Sequence, residues 1–116
     1  MMAVRVKRIY EPYSPADGYR ILVDRLWPRG VAKSDAHVDL WLKEIAPSTT
    51  LRQWFDHDPS KWNDFVSRYR AELKGSSAIQ ELIVLRDQHK TITLLFGAKN
   101  EKYNQAVALL NMLAGR

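Results

Sequence analysis

Between residues 24 and 30 the chain reads DRLWPRG, a stretch whose side chains suit the chemistry of anions. Asp24 offers a carboxyl group, Arg25 and Arg29 offer guanidinium forks that match phosphate oxygens, and Trp27 offers a flat ring beside them. A second set, Gly97, Lys99, Asn100 and Asn104, stands just ahead of an amphipathic stretch. Backbone N–H groups at such a helix start attract an anion before any side chain contributes. Together the two sets describe a pocket in which Arg25, Arg29 and Lys99 hold charge, Trp27 stacks and Asn104 hydrogen-bonds, while Gly97 admits a close backbone approach. Asp24, and Glu72 three residues after Tyr69, are the acid/base candidates. Each residue also has a purely structural reading: Asp24 pairing with Arg25 or Lys99, Gly97 as a turn, Trp27 as a plug on a sheet edge, Glu72 as an exposed helix residue.

Other chemistries find less support. The chain has no cysteine, which excludes thiol nucleophiles, cysteine zinc sites and disulfide staples. Neither GxxxxGK[ST] nor GxGxxG occurs, so the usual ATP and dinucleotide motifs are missing and no cofactor is implied. The triplets His37-Val38-Asp39 and Asp56-His57-Asp58 lack the repeated histidine spacing of a metal site and read as surface or capping residues. The serines fall in loops, at caps or on polar helix faces, none of them a strand-to-helix elbow.

The elements that must position these residues follow from periodicity. Val4, Val6 and Ile9 mark a first strand with one solvated face, and the continuous run Ile21-Leu22-Val23 marks a second, buried on both faces. The sequence TITLLF, Thr91 to Phe96, marks a third. Residues 11–18 hold two prolines and a glycine and make a loop too short for a helical crossover, so the first two strands are either antiparallel neighbours or not adjacent. Between residues 25 and 91 the pattern is mostly helical. Val38, Trp41, Leu42 and Ile45 have helical spacing, although Val38, Leu40 and Leu42 also alternate. Ser48 caps a short helix through Phe55. Asp58 and Pro59 open one whose inner face is Trp62, Phe65, Val66, Tyr69 and Leu73, closed by Gly75. Ser77 and Gln80 form a capping box for another through Gln88, and a last helix carries Ala106, Val107, Leu109, Leu110 and Leu113 inward before Gly115 ends it. The expected fold is one α/β domain: a small, mainly parallel sheet flanked by helices, with room for an antiparallel N-terminal strand. A crossover that makes the Ile21 and Thr91 strands parallel brings both residue sets to one carboxyl edge, where open α/β sheets bind ligands.

At 116 residues with 46% hydrophobic and 27% charged content, the composition is that of a folded domain. No apolar run approaches a membrane span and the N-terminus has no signal-peptide core, which points to the cytoplasm. The net charge of +5 is uneven: residues 1–34 carry +4, residues 35–64 carry −3, and residues 65–116 carry +4. That balance suits an anionic partner. A small phosphate-bearing ligand is the leading expectation; a nucleic-acid-binding module using the basic thirds, or a protein-interaction domain using exposed tryptophans, are the alternatives.

Four stretches carry a family resemblance: DGYRILVDRLWPRG at residues 17–30, LWLKEIAPST at 40–49, the FxxRYxxEL pattern of Phe65, Arg68, Tyr69, Glu72 and Leu73, and TLLFGAKN at 93–100. With them the chain resembles the YeaO-like family of uncharacterised bacterial proteins over nearly its whole length. The resemblance brings no established activity. It marks Asp24, Arg25, Trp27, Pro28, Arg29, Gly30, Pro47, Ser48, Arg68, Tyr69, Glu72, Lys99 and Asn104 as motif positions. Where relatives carry His-Asn this chain has Tyr103-Asn104, which leaves no histidine there. The site plan is also similar to that of rhodanese-like α/β domains. Their nucleophilic cysteine would fall near Gly97, so the lack of any cysteine excludes sulfurtransferase and cysteine phosphatase chemistry.

Overall fold

The two apolar runs become neighbouring strands. In a computed structural model that describes residues 3–114, β2 (Tyr19–Leu22) lies parallel to β4 (Thr91–Phe96), with Ile21 beside Leu94 and Leu22 beside Leu95. From Ile92 to Phe96, β4 is buried on both faces, as its unbroken apolar run requires. On its other side β4 pairs with β1 (Ala3–Arg8), and β2 pairs with the two-residue β3 (Leu40–Trp41). The described strands form one parallel sheet in the order β1-β4-β2-β3.

Three expectations need correction. The N-terminal strand is not antiparallel: β1 and β2 are separated by β4 and run parallel to it. Residues 9–18 make this return without a crossover helix: the chain turns after β1, where Glu11 N donates to Arg8 O at 3.0 Å, and folds into a 3₁₀ turn at Pro15–Asp17 just before β2. The alternation of Val38, Leu40 and Leu42, rather than their helical spacing, describes the region that becomes β3. The cap of the fourth helix is Ser76, whose Oγ accepts from Ile79 N at 3.1 Å, one residue ahead of the expected capping box.

The helices divide the two faces of the sheet unequally. Helices α2 (Thr49–Phe55), α3 (Trp62–Leu73), α4 (Ser77–Gln88) and α5 (Gln105–Ala114) all contribute to one apolar cluster over Ile21, Val23, Ile92, Leu94 and Phe96. Ser48 caps α2, accepting from Leu51 N at 3.1 Å. Asp58 and Pro59 open a 3₁₀ turn that runs into α3. The expected end of α5 at Gly115 lies outside the described residues.

The opposite face is covered by connecting segments and the single turn α1 (Lys33–Ala36), with Leu22 and Leu95 in a smaller cluster beside Trp27 and Trp41. A buried polar knot holds it. Arg20, only 1% exposed, pairs with Asp17 and donates to Ala36 O and His37 O, both at 3.0 Å. Lys7 also reaches Asp17 at 3.0 Å, and Thr93 Oγ1 donates to Asp17 O at 2.6 Å. Gly18, with φ of +68°, has no room for a side chain: a Cβ there would stand 2.2 Å from Thr91 O.

Candidate functional site at the carboxyl edge

Strands β2 and β4 end side by side, and Asp24 bridges them. Its Oδ2 accepts from Gly97 N at 2.8 Å, and its Oδ1 accepts from the Gln105 side chain at the start of α5. Gly97 is tight against this carboxyl, since a Cβ there would lie 3.0 Å from Oδ2. Burial raises the Asp24 pKa above the ordinary carboxylate value and outweighs both hydrogen bonds.

Beside Asp24 opens a cavity of about 450 Å³ at the strand ends. Arg25, Arg52 and His57 give it a basic side, and Asn104 and Gln105 line it from the α5 start. Pro47, Phe55, Phe65 and Tyr103 supply apolar wall, and Leu26 stands at 75% exposure. Among the described residues neither Arg25 nor Arg52 has a carboxylate within salt-bridge distance. Arg25 Nη2 donates to Ala46 O and Pro47 O, both at 3.2 Å, which fixes the guanidinium at the cavity wall. His57 follows Asp56 at the end of α2, and both are left-handed, with φ of 56° and 45°. This backbone conformation is uncommon outside glycine and sets the direction in which the chain leaves the helix.

The FxxRYxxEL stretch builds the wall without lining it, apart from Phe65. Tyr69 OH donates to Ile45 O at 2.6 Å, and the Glu72 carboxylate accepts from Ser48 N at 2.9 Å and from Ser48 Oγ. Arg68 lies 4.1 Å from the Trp54 ring centre on α2. Residues 45–48 are thereby gripped by α3 on one side and by Arg25 on the other. The burial of Tyr69 raises its phenol pKa, which keeps it a neutral donor.

The residues singled out from sequence thus separate. Asp24, Arg25 and Asn104 meet at the cavity, and Gly97 meets Asp24. Asn104 also caps α5: its Oδ1 accepts from Val107 N at 3.0 Å and its Nδ2 donates to Asn100 O at 2.8 Å. Trp27, Arg29, Lys99 and Glu72 do not line the cavity. Trp27 instead donates to Val31 O at 2.7 Å and meets Trp41 edge-on on the opposite face, while Arg29 is exposed and its carbonyl accepts from Tyr10 OH. Sequence reasoning missed Arg52, Tyr103 and the cavity role of His57. The signal available for Arg52 was its place between two helix-packing residues, Leu51 and Trp54, on a short helix ending near the strand edge. A larger hollow of about 750 Å³ between α3, α4 and α5 contains none of the catalytic or ligand-binding candidates read from the sequence.

Comparison with known proteins matches the family model described as the inactive DUF488-N3 subclade to residues 3–116. The chain belongs to that subclade. It is 42% identical over 112 residues to the uncharacterized protein YeaO of Escherichia coli K12, covering 97% of each chain. It is also 42% identical over 113 residues to the uncharacterized protein Rv3073c of Mycobacterium tuberculosis H37Rv, covering 97% of this chain and 95% of that one. The resemblance to the YeaO-like family therefore stands, and both of these relatives are uncharacterised. No solved structure matches the chain significantly. Among the described residues no helix is long and apolar enough to cross a membrane.

Proposed function

We propose that the carboxyl-edge cavity binds a small anionic, phosphate-bearing ligand. The observation that carries this reading is the placement of Arg25 and Arg52, without carboxylate partners among the described residues, on one cavity of about 450 Å³. A guanidinium fork without a carboxylate partner matches phosphate oxygens, and two such forks on one cavity add their attraction for the same anion. Asp24 opposes this less than a free carboxylate would, since both its oxygens already accept hydrogen bonds, from Gly97 N and from Gln105. The description of the subclade as inactive favours binding over turnover. In this reading Asp24 positions Gly97 and Gln105 rather than transferring a proton, and Glu72 orients Ser48.

The test is a thermal-shift series with phosphate, sulfate, sugar phosphates, nucleotides and a short oligonucleotide, on wild type, Arg52→Ala and Arg29→Ala. A small anion at about 100 times its dissociation constant should stabilise by about 2.7 kcal/mol, or roughly 10 °C for a chain of this size. Arg52→Ala should abolish the shift, and Arg29→Ala, outside the cavity, should retain it. Loss in Arg29→Ala alone would move the site to the Trp27 loop. Stabilisation by the oligonucleotide alone, falling steeply with salt, would replace the reading with nucleic-acid binding.

A further inference from the structure

We infer that the ligand carries a planar, unsaturated ring next to its anionic group, an inference that rests on the anion reading above and narrows it. The cavity lining mixes two chemistries: the charged side chains of Arg25 and Arg52 stand among apolar ones, including Pro47, Leu26, Tyr103 and the almost fully buried Phe55 and Phe65, which stack at 4.2 Å between ring centres. Tyr103 is partly buried and is held edge-on at 5.4 Å against Trp62, which in turn packs on Phe55 and Phe65. Leu26 also lines the cavity, yet 75% of it is exposed to solvent.

Three points favour a ring over a bare anion or a polyol. A volume of about 450 Å³ falls within the range of about 300–1,000 Å³ that holds organic ligands, so an inorganic anion would leave the apolar part of the lining wet. Sugar hydroxyls laid against phenyl and prolyl surface lose water without gaining partners, whereas a ring gains contact area and edge-to-face geometry with Tyr103. Leu26 is the most exposed large apolar side chain of the described residues, and it is one of the residues that line the cavity, so an apolar occupant is what would take it out of water. The aromatic neighbour expected from Trp27 is supplied by Tyr103, because Trp27 packs on the other face of the sheet.

Titration calorimetry with phenyl phosphate, glycerol 3-phosphate and inorganic phosphate tests this on wild type, Leu26→Ala and Tyr103→Ala. Phenyl phosphate should bind at least about tenfold more tightly than glycerol 3-phosphate, the scale expected for burying one ring face. Each variant should cut that preference about threefold or more by weakening phenyl phosphate more than inorganic phosphate; Leu26→Ala alters an exposed loop residue, so it also answers if Tyr103→Ala fails to fold. Equal affinity for the two organic phosphates would overturn the ring inference and leave the anion reading intact. A ring preference untouched by both variants would overturn it too, by placing the ring elsewhere. No binding of any of the three would overturn the anion reading and this inference together.

Discussion

Asp24 shows how one side chain can be both a joint and an electrostatic element. Its carboxyl ties the end of β2 to the backbone after β4 and to the first residue of α5, so an occupant of the cavity would feel any change in it. Substituting Asp24→Asn removes one acceptor and points an amide N–H₂ at one of the two donors. The expected cost is about 1–2 kcal/mol at pH 4–5. The pH dependence has a definite sign. Burial raises the native pKa above the ordinary 3.8, so the contribution of Asp24 is full below that value and is lost as pH rises through the native one. Urea unfolding of wild type and Asp24→Asn at pH 4, 5.5 and 7.5 should therefore give a gap that narrows upward. A widening gap would mean that the ionised carboxylate is the form the fold prefers.

The return of residues 9–18 is held against the sheet by a charge taken fully out of water. Arg20 is offset by Asp17 and two backbone carbonyls, and removing the carboxylate would leave it buried without an anion. Asp17→Asn should cost about 3–5 kcal/mol, measured by chemical denaturation at neutral pH. Burial alone would raise the Asp17 pKa, but hydrogen bonds from Lys7, Ser14 N and Arg20 bring it below the ordinary value. Its contribution is accordingly present at neutral pH and lost as the solution is acidified through the lowered native value, opposite to Asp24. The legibility of the fold follows the same physics. Ile21 to Val23 and Thr91 to Phe96 could be read as buried strands that a crossover makes parallel, because double burial demands unbroken apolar runs, and Ser48, Asp58 and Pro59 could be read because caps need particular side chains; that the two strands are neighbours came from the structure. β3 was ambiguous because two residues carry no period of their own. The burial of Arg20 was not legible because an i,i+3 pair such as Asp17 and Arg20 is ordinary on a surface, and the carbonyls at positions 36 and 37 that complete its shell are distant in sequence. Half of the site was legible for the corresponding reason: Asp24 and Asn104 adjoin strand and helix ends, whereas Arg52, His57 and Tyr103 reach the cavity only through how α2 and α3 pack.

At the scale of the whole molecule the tryptophans report on both faces of the sheet. Trp54 and Trp62 pack with the helical cluster, Trp27 and Trp41 with the smaller one opposite, and the strands between are shared. If the chain unfolds as one cooperative unit, tryptophan fluorescence and far-ultraviolet circular dichroism should give coincident urea transitions, in wild type and in Trp27→Phe alike. A separate early transition lost in Trp27→Phe would show that the loop-covered face opens by itself. The strand order carries a consequence for synthesis. β4 is the strand that hydrogen-bonds both β1 and β2, yet it is the last to leave the ribosome. At about 5–20 residues per second, β1 waits on the order of ten seconds with no partner. Its exposed edge is spaced by Arg5 and Lys7, charges of the kind that discourage a strand from pairing with a stranger. A nascent chain halted before residue 91 would hold only the short β2–β3 pairing, so the basic residues of the first strand protect the chain before they serve the folded protein.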